Sequence, residues 1–346
     1  MRLDELDYDL PGDLIATTPH EPRDEARLMV VRSDTGNIEH HRISDLPDLL
    51  EPSDVLVRNR SRVLPARLEG HRVESGGRIS GLFLREIQQG TWVVMLRSNG
   101  RLRPGSTIQL EPGGHQLKLI RKEEKDWVVE VQPKDSAASI LASCGRTPLP
   151  PYILRARGDM LIEDEVDRDW YQTVYAREEG SVAAPTAGLH FTPALEQTLK
   201  NHGLEFLEVV LHVGQGTFLP VTAPTLETHP MHSEDCCVEH AVLEALMSPD
   251  RSGRIVAVGT TTARVLESLP AELPDSDWSA STNLMIAPPW QWRYVDVLLT
   301  NFHLPRSTLL ALVAARIGLP LMKEAYALAV DSGYRFYSYG DAMLLL

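Results

Sequence analysis

Histidine titrates near neutrality, and this chain sets several histidines among hydroxyls, glycines and carboxylates, where they could move protons. The segment Gly180-Ser-Val-Ala-Ala-Pro-Thr-Ala-Gly-Leu-His-Phe-Thr192 places His190 beside two glycines, a proline and three hydroxyls. It has neither a helical stripe nor strand alternation, so it reads as an ordered loop that presents polar groups. Thr192 and Pro193 then start a helix that runs to His202 and stops at Gly203. The loop thus ends on free N–H groups that favour anionic or electron-rich ligands. His212 and His303 fall at a strand end and in a polar loop. His229-Pro-Met-His232-Ser-Glu234 brings two imidazoles and a carboxylate together. That cluster reads as a metal site, as a substrate-binding or acid–base group, or as a hydrogen-bonded loop. The helical HExxH spacing is absent, and Pro230 favours an extended or turn backbone.

Other motifs carry weaker signals. Gly259-Thr-Thr-Thr262 follows a strand without a Walker lysine; it suits a ribose or carboxylate, or is an ordinary turn. Gly214-x-Gly216 lacks the third glycine of a dinucleotide fingerprint. Tyr171-Gln-Thr-Val-Tyr175 could stack and hydrogen-bond a base, or be a helix packing its tyrosines. Tyr334 to Asp341 alternates like a strand; Arg335, Ser338 and Asp341 are its site candidates. No GxSxG elbow is present.

These residues need elements to hold them. Val55 to Val131 is a run of short alternating segments broken by Gly, Pro and Asn turns, which suggests a small β-barrel. Pro148-Leu-Pro-Pro-Tyr152 reads as the stiff return from it. Beyond Tyr171 the pattern becomes strand–loop–helix. Strands Phe206 to Val213, Arg254 to Val258 and Tyr294 to Leu299 each run into a polar loop, and helices Ala263 to Leu269 and Thr308 to Ile317 follow the last two. In open α/β sheets ligands bind beyond the carboxyl ends of strands, so these loops and Gly180–Thr192 are expected to share one pocket.

The 346 residues, 43% hydrophobic and 24% charged, suit a soluble globular enzyme. A net charge of −14 argues against a general nucleic-acid coat. Six arginines between Arg58 and Arg78 nevertheless form a local basic stripe, either a grip for one polyanion or a solvated strand face. Three cysteines without a CxxC fit a reducing cytoplasm. The acidic N-terminus is not a signal peptide, and the apolar run from Leu309 to Met322 is interrupted by Arg316 and Pro320, so no membrane span is expected.

Together the motifs resemble the S-adenosylmethionine:tRNA ribosyltransferase-isomerases of queuosine synthesis. The matching residues include Asp7-Tyr-Asp-Leu-Pro11, Pro22-Arg-Asp24, Pro148 to Ile153, Tyr171 to Ala176 and Gly180 to Thr192. Leu211-His-Val-Gly-x-Gly-Thr-Phe218, His229-x-Met-His-x-Glu234, Ala257-Val-Gly-Thr-Thr261, Thr300-Asn-Phe-His-Leu-Pro305 and Tyr334 to Met343 continue in the family's order. The resemblance implies an α/β fold, residues 1–64 and 136–346, with an inserted antiparallel β-barrel, residues 65–135. It implies ribosyl transfer from S-adenosylmethionine to 7-aminomethyl-7-deazaguanine at the wobble position of a GUN-anticodon tRNA. Adenine and methionine leave, and the sugar becomes an epoxycyclopentanediol. S-adenosylmethionine is a co-substrate, no metal or other cofactor is expected, and the expected form is a cytoplasmic monomer.

That chemistry needs a base at the ribose carbon next to the sulfonium and an acid for departing adenine. His190, His212 and Glu234 are the catalytic candidates. Tyr171, Gln172, Tyr175, Thr186, Thr260, Thr261, Asn301, His303, Arg335 and Asp341 are candidates for substrate binding, and Arg58, Arg60, Arg62 and Arg67 for tRNA phosphates. The chain departs from the family pattern at Arg60, where an aspartate is usual, at Asn283, at Pro288-Pro289-Trp290 and at Val210. A repurposed tRNA-binding protein and a metal-dependent hydrolase using residues 229–234 are the rival readings.

Overall fold

The computed structural model describes residues 1–158, 160, 162–214, 216, 225–229 and 231–346. Its strands are, in order, β1 (Arg27–Val31), β2 (Ile38–Arg42), β3 (Val55–Asn59) and β4 (Ser61–Val63). Next come β5 (Arg67–Arg72), β6 (Arg78–Gln88), β7 (Thr91–Ser98), β8 (Thr107–Leu110), β9 (Gln116–Glu123) and β10 (Asp126–Gln132). The rest are β11 (Glu178–Ser181), β12 (Glu205–Leu211), β13 (Glu234–Val238), β14 (Ile255–Val258), β15 (Trp278–Thr282), β16 (Val297–Asn301) and β17 (Ala342–Leu345).

Nine of these form one mixed sheet, in the order β15-β13-β12-β3-β14-β16-β17-β1-β2. β12, β3, β14 and β16 are mutually parallel. β3, β14 and β16 are fully buried and open on aliphatic runs, because both their faces are covered. Alternate residues of one strand feed two cores: Val55 and Val57 enter one, Leu56 the other. The helices Thr260–Glu267, Thr308–Ile317 and Leu319–Asp331 pack on the first face, and Pro193–His202 on the second. Strands β10-β7-β6-β5-β8-β9 close an antiparallel barrel around Phe83, Trp92 and Trp127. The helix Ala137–Cys144, capped by Ser136, supplies Ile140, Leu141 and Cys144 to the same core. The fold is thus mixed α/β with a closed six-stranded barrel.

Two local readings change. The segment Gly180–Thr192 is not wholly loop: Gly180 and Ser181 end β11, and Thr186–His190 is a 3-10 turn. The strand near the C-terminus is Ala342–Leu345, whereas Tyr334–Asp341 is a tight turn closed by Asp341 N–H to Arg335 O at 2.8 Å. Pro320, which interrupts the apolar run, lies in the first turn of Leu319–Asp331, where a missing N–H costs nothing. The cap at Thr192 is as read: its hydroxyl accepts from Leu195 N–H at 3.1 Å, and Gly203 ends the helix with φ 108°. Cys144, Cys236 and Cys237 are free thiols. No helix among the described residues is long and apolar enough to cross a membrane.

Candidate functional site

A cavity of about 620 Å³ opens at the carboxyl ends of the parallel strands. Val213 and Gly216 follow β12, Gly259 to Thr261 follow β14, and Phe302 to Leu309 follow β16; all line it. Ala183 to Ala187 supply another wall, so the expected convergence of these loops is what the fold builds.

One end of the cavity is ionic. Glu234 begins β13, next to the outermost strand on that side of the sheet, and is ion-paired with Arg264 of the helix Thr260–Glu267. Gly214 N–H donates to Glu234 Oε1 at 2.9 Å, and Arg264 also donates to the carbonyls of Thr282 and Leu284. The other end is neutral and aromatic. Tyr152 and Tyr337 lie with ring centroids 3.7 Å apart, and the Tyr152 and Ser338 hydroxyls hydrogen-bond. Asn301 and His303 complete that end; His303 Nε2 meets Thr300 Oγ1 at 2.9 Å.

His190 stands one side chain behind this wall. Its Nε2 lies 3.2 Å from Asn301 Nδ2, and it is buried. Burial pushes His190 down to about 4, against an opposing pull from Asp341, and pushes His303 down to about 3. Both are neutral in the folded protein at neutral pH. The unfolded chain takes up these protons below about pH 6.5, while the folded chain resists until far lower. Their contribution to stability is therefore full above pH 6.5 and is lost as pH falls toward 4, at about 1.4 kcal/mol per pH unit for each. Urea midpoints at pH 7.5 and 4.5 measure this; the expected result is a clear fall at the lower pH, and equal midpoints contradict it.

Of the catalytic and substrate-binding candidates, Tyr171, Thr186, Glu234, Thr260, Thr261, Asn301 and His303 line the cavity, and so does Ser338. His212, Gln172, Asp341 and Arg335 sit elsewhere. His212 lines a separate depression with Asp235, Cys236 and Ser279, and packs against Gly180, where a Cβ would lie 2.7 Å from the imidazole. Gln172 is locked to β4, its Oε1 accepting from Val63 N–H at 3.0 Å. Asp341 is a buried hub that accepts from the N–H groups of Arg27 and Arg335 and contacts His20 at 3.1 Å. Arg335 hydrogen-bonds the carbonyl of Thr18.

The basic stripe needs correction. Arg58 is buried, paired with Glu196 at 2.6 Å and Glu208 at 2.8 Å, with its guanidinium 3.9 Å above the Tyr175 ring. Its charge is consumed inside the fold, and Tyr175 is buried beneath it, away from the cavity. Arg60 pairs with Glu239 at 2.7 Å, which accommodates the reversed charge at that position. Arg67 pairs with Glu69 at 2.6 Å, while Arg62 is exposed. The other departures are absorbed locally: Asn283 is exposed, Val210 is buried in β12, and Trp290 Nε1 donates to Glu267 at 3.3 Å.

His229, Met231 and His232 also line the cavity, while Pro230 lies outside the described residues. Among the described residues no group of three or more His, Cys, Asp or Glu is arranged to hold a metal. Sequence reasoning missed Arg264, Tyr152, Tyr337 and the exposed rim residue Arg155. Arg264 lies one helical turn after Thr260, so the spacing from Gly259-Thr-Thr-Thr262 was its signal.

A family model described as "Queuosine biosynthesis protein" matches residues 3–345. The chain belongs to this family. A family member from Thermotoga petrophila, named S-adenosylmethionine:tRNA ribosyltransferase-isomerase, is 46% identical over 348 residues, covering 100% of both chains. One of the same name from Bradyrhizobium is 45% identical over 363 residues, covering 100% of this chain and 97% of its own. A crystal structure of S-adenosylmethionine tRNA ribosyltransferase from Thermotoga maritima matches with a TM-score of 0.56 at 36% identity, covering 99% of this chain and 100% of that one.

Proposed function

We propose that this chain is an S-adenosylmethionine:tRNA ribosyltransferase-isomerase acting on tRNA that carries 7-aminomethyl-7-deazaguanine. The observation that carries the reading is one cavity with an ionic end and a neutral aromatic end, at the carboxyl edge of the parallel strands. S-adenosylmethionine has the same two-ended character: a zwitterionic amino acid and a flat, neutral base. Glu234 and Arg264 offer a carboxylate to the methionine ammonium and a guanidinium to its carboxylate. Thr260 and Thr261, at a helix N-terminus, lie between the ends along the sheet.

The amine of the modified base attacks the ribosyl unit, adenine and methionine depart, and the sugar closes to the epoxycyclopentanediol. His190, buried behind Asn301, is assigned to proton transfer, its Nε2 becoming free for substrate when the Asn301 contact opens; His212, which faces a separate depression, is not given that role. Arg155 and Arg306 on the rim, with Arg62 beyond it, are assigned to tRNA phosphates. Residues 65–135 are taken as an inserted domain, the tRNA as one with a GUN anticodon, and the enzyme as a cytoplasmic monomer needing no metal.

Adenine release tests the reading. Purified protein is mixed with S-adenosylmethionine and tRNA carrying the aminomethyl base, with unmodified tRNA as control. Adenine is expected only with the modified tRNA, and its formation should survive chelators. No adenine from a folded protein that binds tRNA would point to a repurposed relative, with Arg60, Asn283 and Pro289 the first positions to revert.

A further inference from the structure

Asn301 is 2% exposed and lines the cavity, yet only half of its amide is used. Its Nδ2 donates to Tyr337 O at 3.0 Å and faces His190 Nε2 at 3.2 Å. A backbone carbonyl only accepts, so the nitrogen must point that way and Oδ1 is turned from both. Asn301 Oδ1 is buried with no hydrogen-bond partner among the described residues, and so are Thr261 Oγ1 and the Tyr337 hydroxyl. Three orphaned polar atoms on the wall of one cavity are rare in a folded protein, since a buried polar atom without a partner is destabilising unless a ligand satisfies it.

The surroundings specify the ligand group. Oδ1 is a neutral acceptor, so it takes an N–H. A cationic ammonium is better served by the carboxylate of Glu234, four strand spacings away across the sheet, or about 19 Å. Here the wall carries the aromatic faces of Tyr152 and Tyr337, tilted 31° to each other, and Tyr337 is held in place with φ 76° by Asn301 on its carbonyl and by Phe302 O on its N–H. A left-handed tyrosine persists only when its neighbours fix it. A flat heterocycle bearing a neutral amino group fits these constraints.

We propose that this neutral end is the nucleobase subsite, with Asn301 Oδ1 accepting the exocyclic amino group of adenine and the hydroxyls of Thr261 and Tyr337 facing its ring nitrogens. The assignment rests on the reading that S-adenosylmethionine is the donor. It makes Asn301 the residue that distinguishes an amino from an oxo group at purine position 6, because an oxo group would oppose Oδ1 with a second acceptor.

The test compares S-adenosylhomocysteine with S-inosylhomocysteine by calorimetry on the full chain. The wild type is expected to bind the adenosyl ligand at least about tenfold tighter. Asn301→Leu is expected to bring that ratio below about threefold. Equal affinities of the wild type for the two ligands, or a ratio unchanged in a folded Asn301→Leu variant, overturn the subsite. The wild-type comparison decides alone if the variant does not fold. Adenine release from the same preparation separates the two readings: release with equal affinities overturns only the subsite, whereas discrimination without release overturns the enzyme reading.

Discussion

Glu234→Ala is expected to be the most damaging single change at the site, lowering both stability and turnover. Its carboxylate is buried, receives the Gly214 N–H, and faces the buried guanidinium of Arg264. Removing one partner of a buried ion pair leaves the other charge uncompensated, at about 3–5 kcal/mol. Removing both leaves no stranded charge, so Glu234→Ala with Arg264→Met should recover at least half of the lost stability. Neither variant should turn over S-adenosylmethionine normally if the pair holds the methionine arm, and the loss should appear in KM as well as kcat. Urea unfolding and steady-state adenine release on both variants measure this. A double variant as unstable as the single one would show that the damage comes from packing; normal KM values would remove the pair from substrate binding.

His190→Ala is the second large effect, with an expected loss of roughly 10²–10⁴-fold in turnover and a KM for S-adenosylmethionine within about threefold. The imidazole is neutral, buried and in contact with Asn301, itself part of the cavity wall. A proton-transfer role affects kcat. A purely structural role would loosen Asn301 and Tyr337 and raise KM in step with the fall in kcat. His190→Gln separates the two further, because its amide can still meet Asn301 but cannot take up a proton near neutrality. Recovery of turnover by glutamine would remove His190 from the chemistry and leave it as support for Asn301.

Much of the fold was legible in local sequence. The barrel strands follow from alternation between turn residues, the parallel strands from aliphatic runs, and the helix at Pro193 from its threonine cap; each depends on neighbours a few residues away. The C-terminal turn was not legible. Tyr334 to Asp341 alternates like a strand, but the buried carboxylate of Asp341 gathers the N–H groups of Arg27 and Arg335 and bends the chain instead. The Arg335 contact is local, but Arg27 lies 314 residues from Asp341, and no strand-length window carries that second contact.

The same division holds at the site. Sequence by itself determined which loops carry the polar groups and, through collinear motifs, the family. Only the tertiary structure decided which side chains meet. It seated Arg58 between Glu196 and Glu208, turned His212 toward another depression, and brought Arg264 to Glu234 and Tyr152 against Tyr337. Those partners range from Glu234 and Arg264, 30 residues apart, to Tyr152 and Tyr337, in opposite halves of the chain. Their pairing is set by strand order and by the direction in which each side chain leaves its element, and local spacing encodes neither.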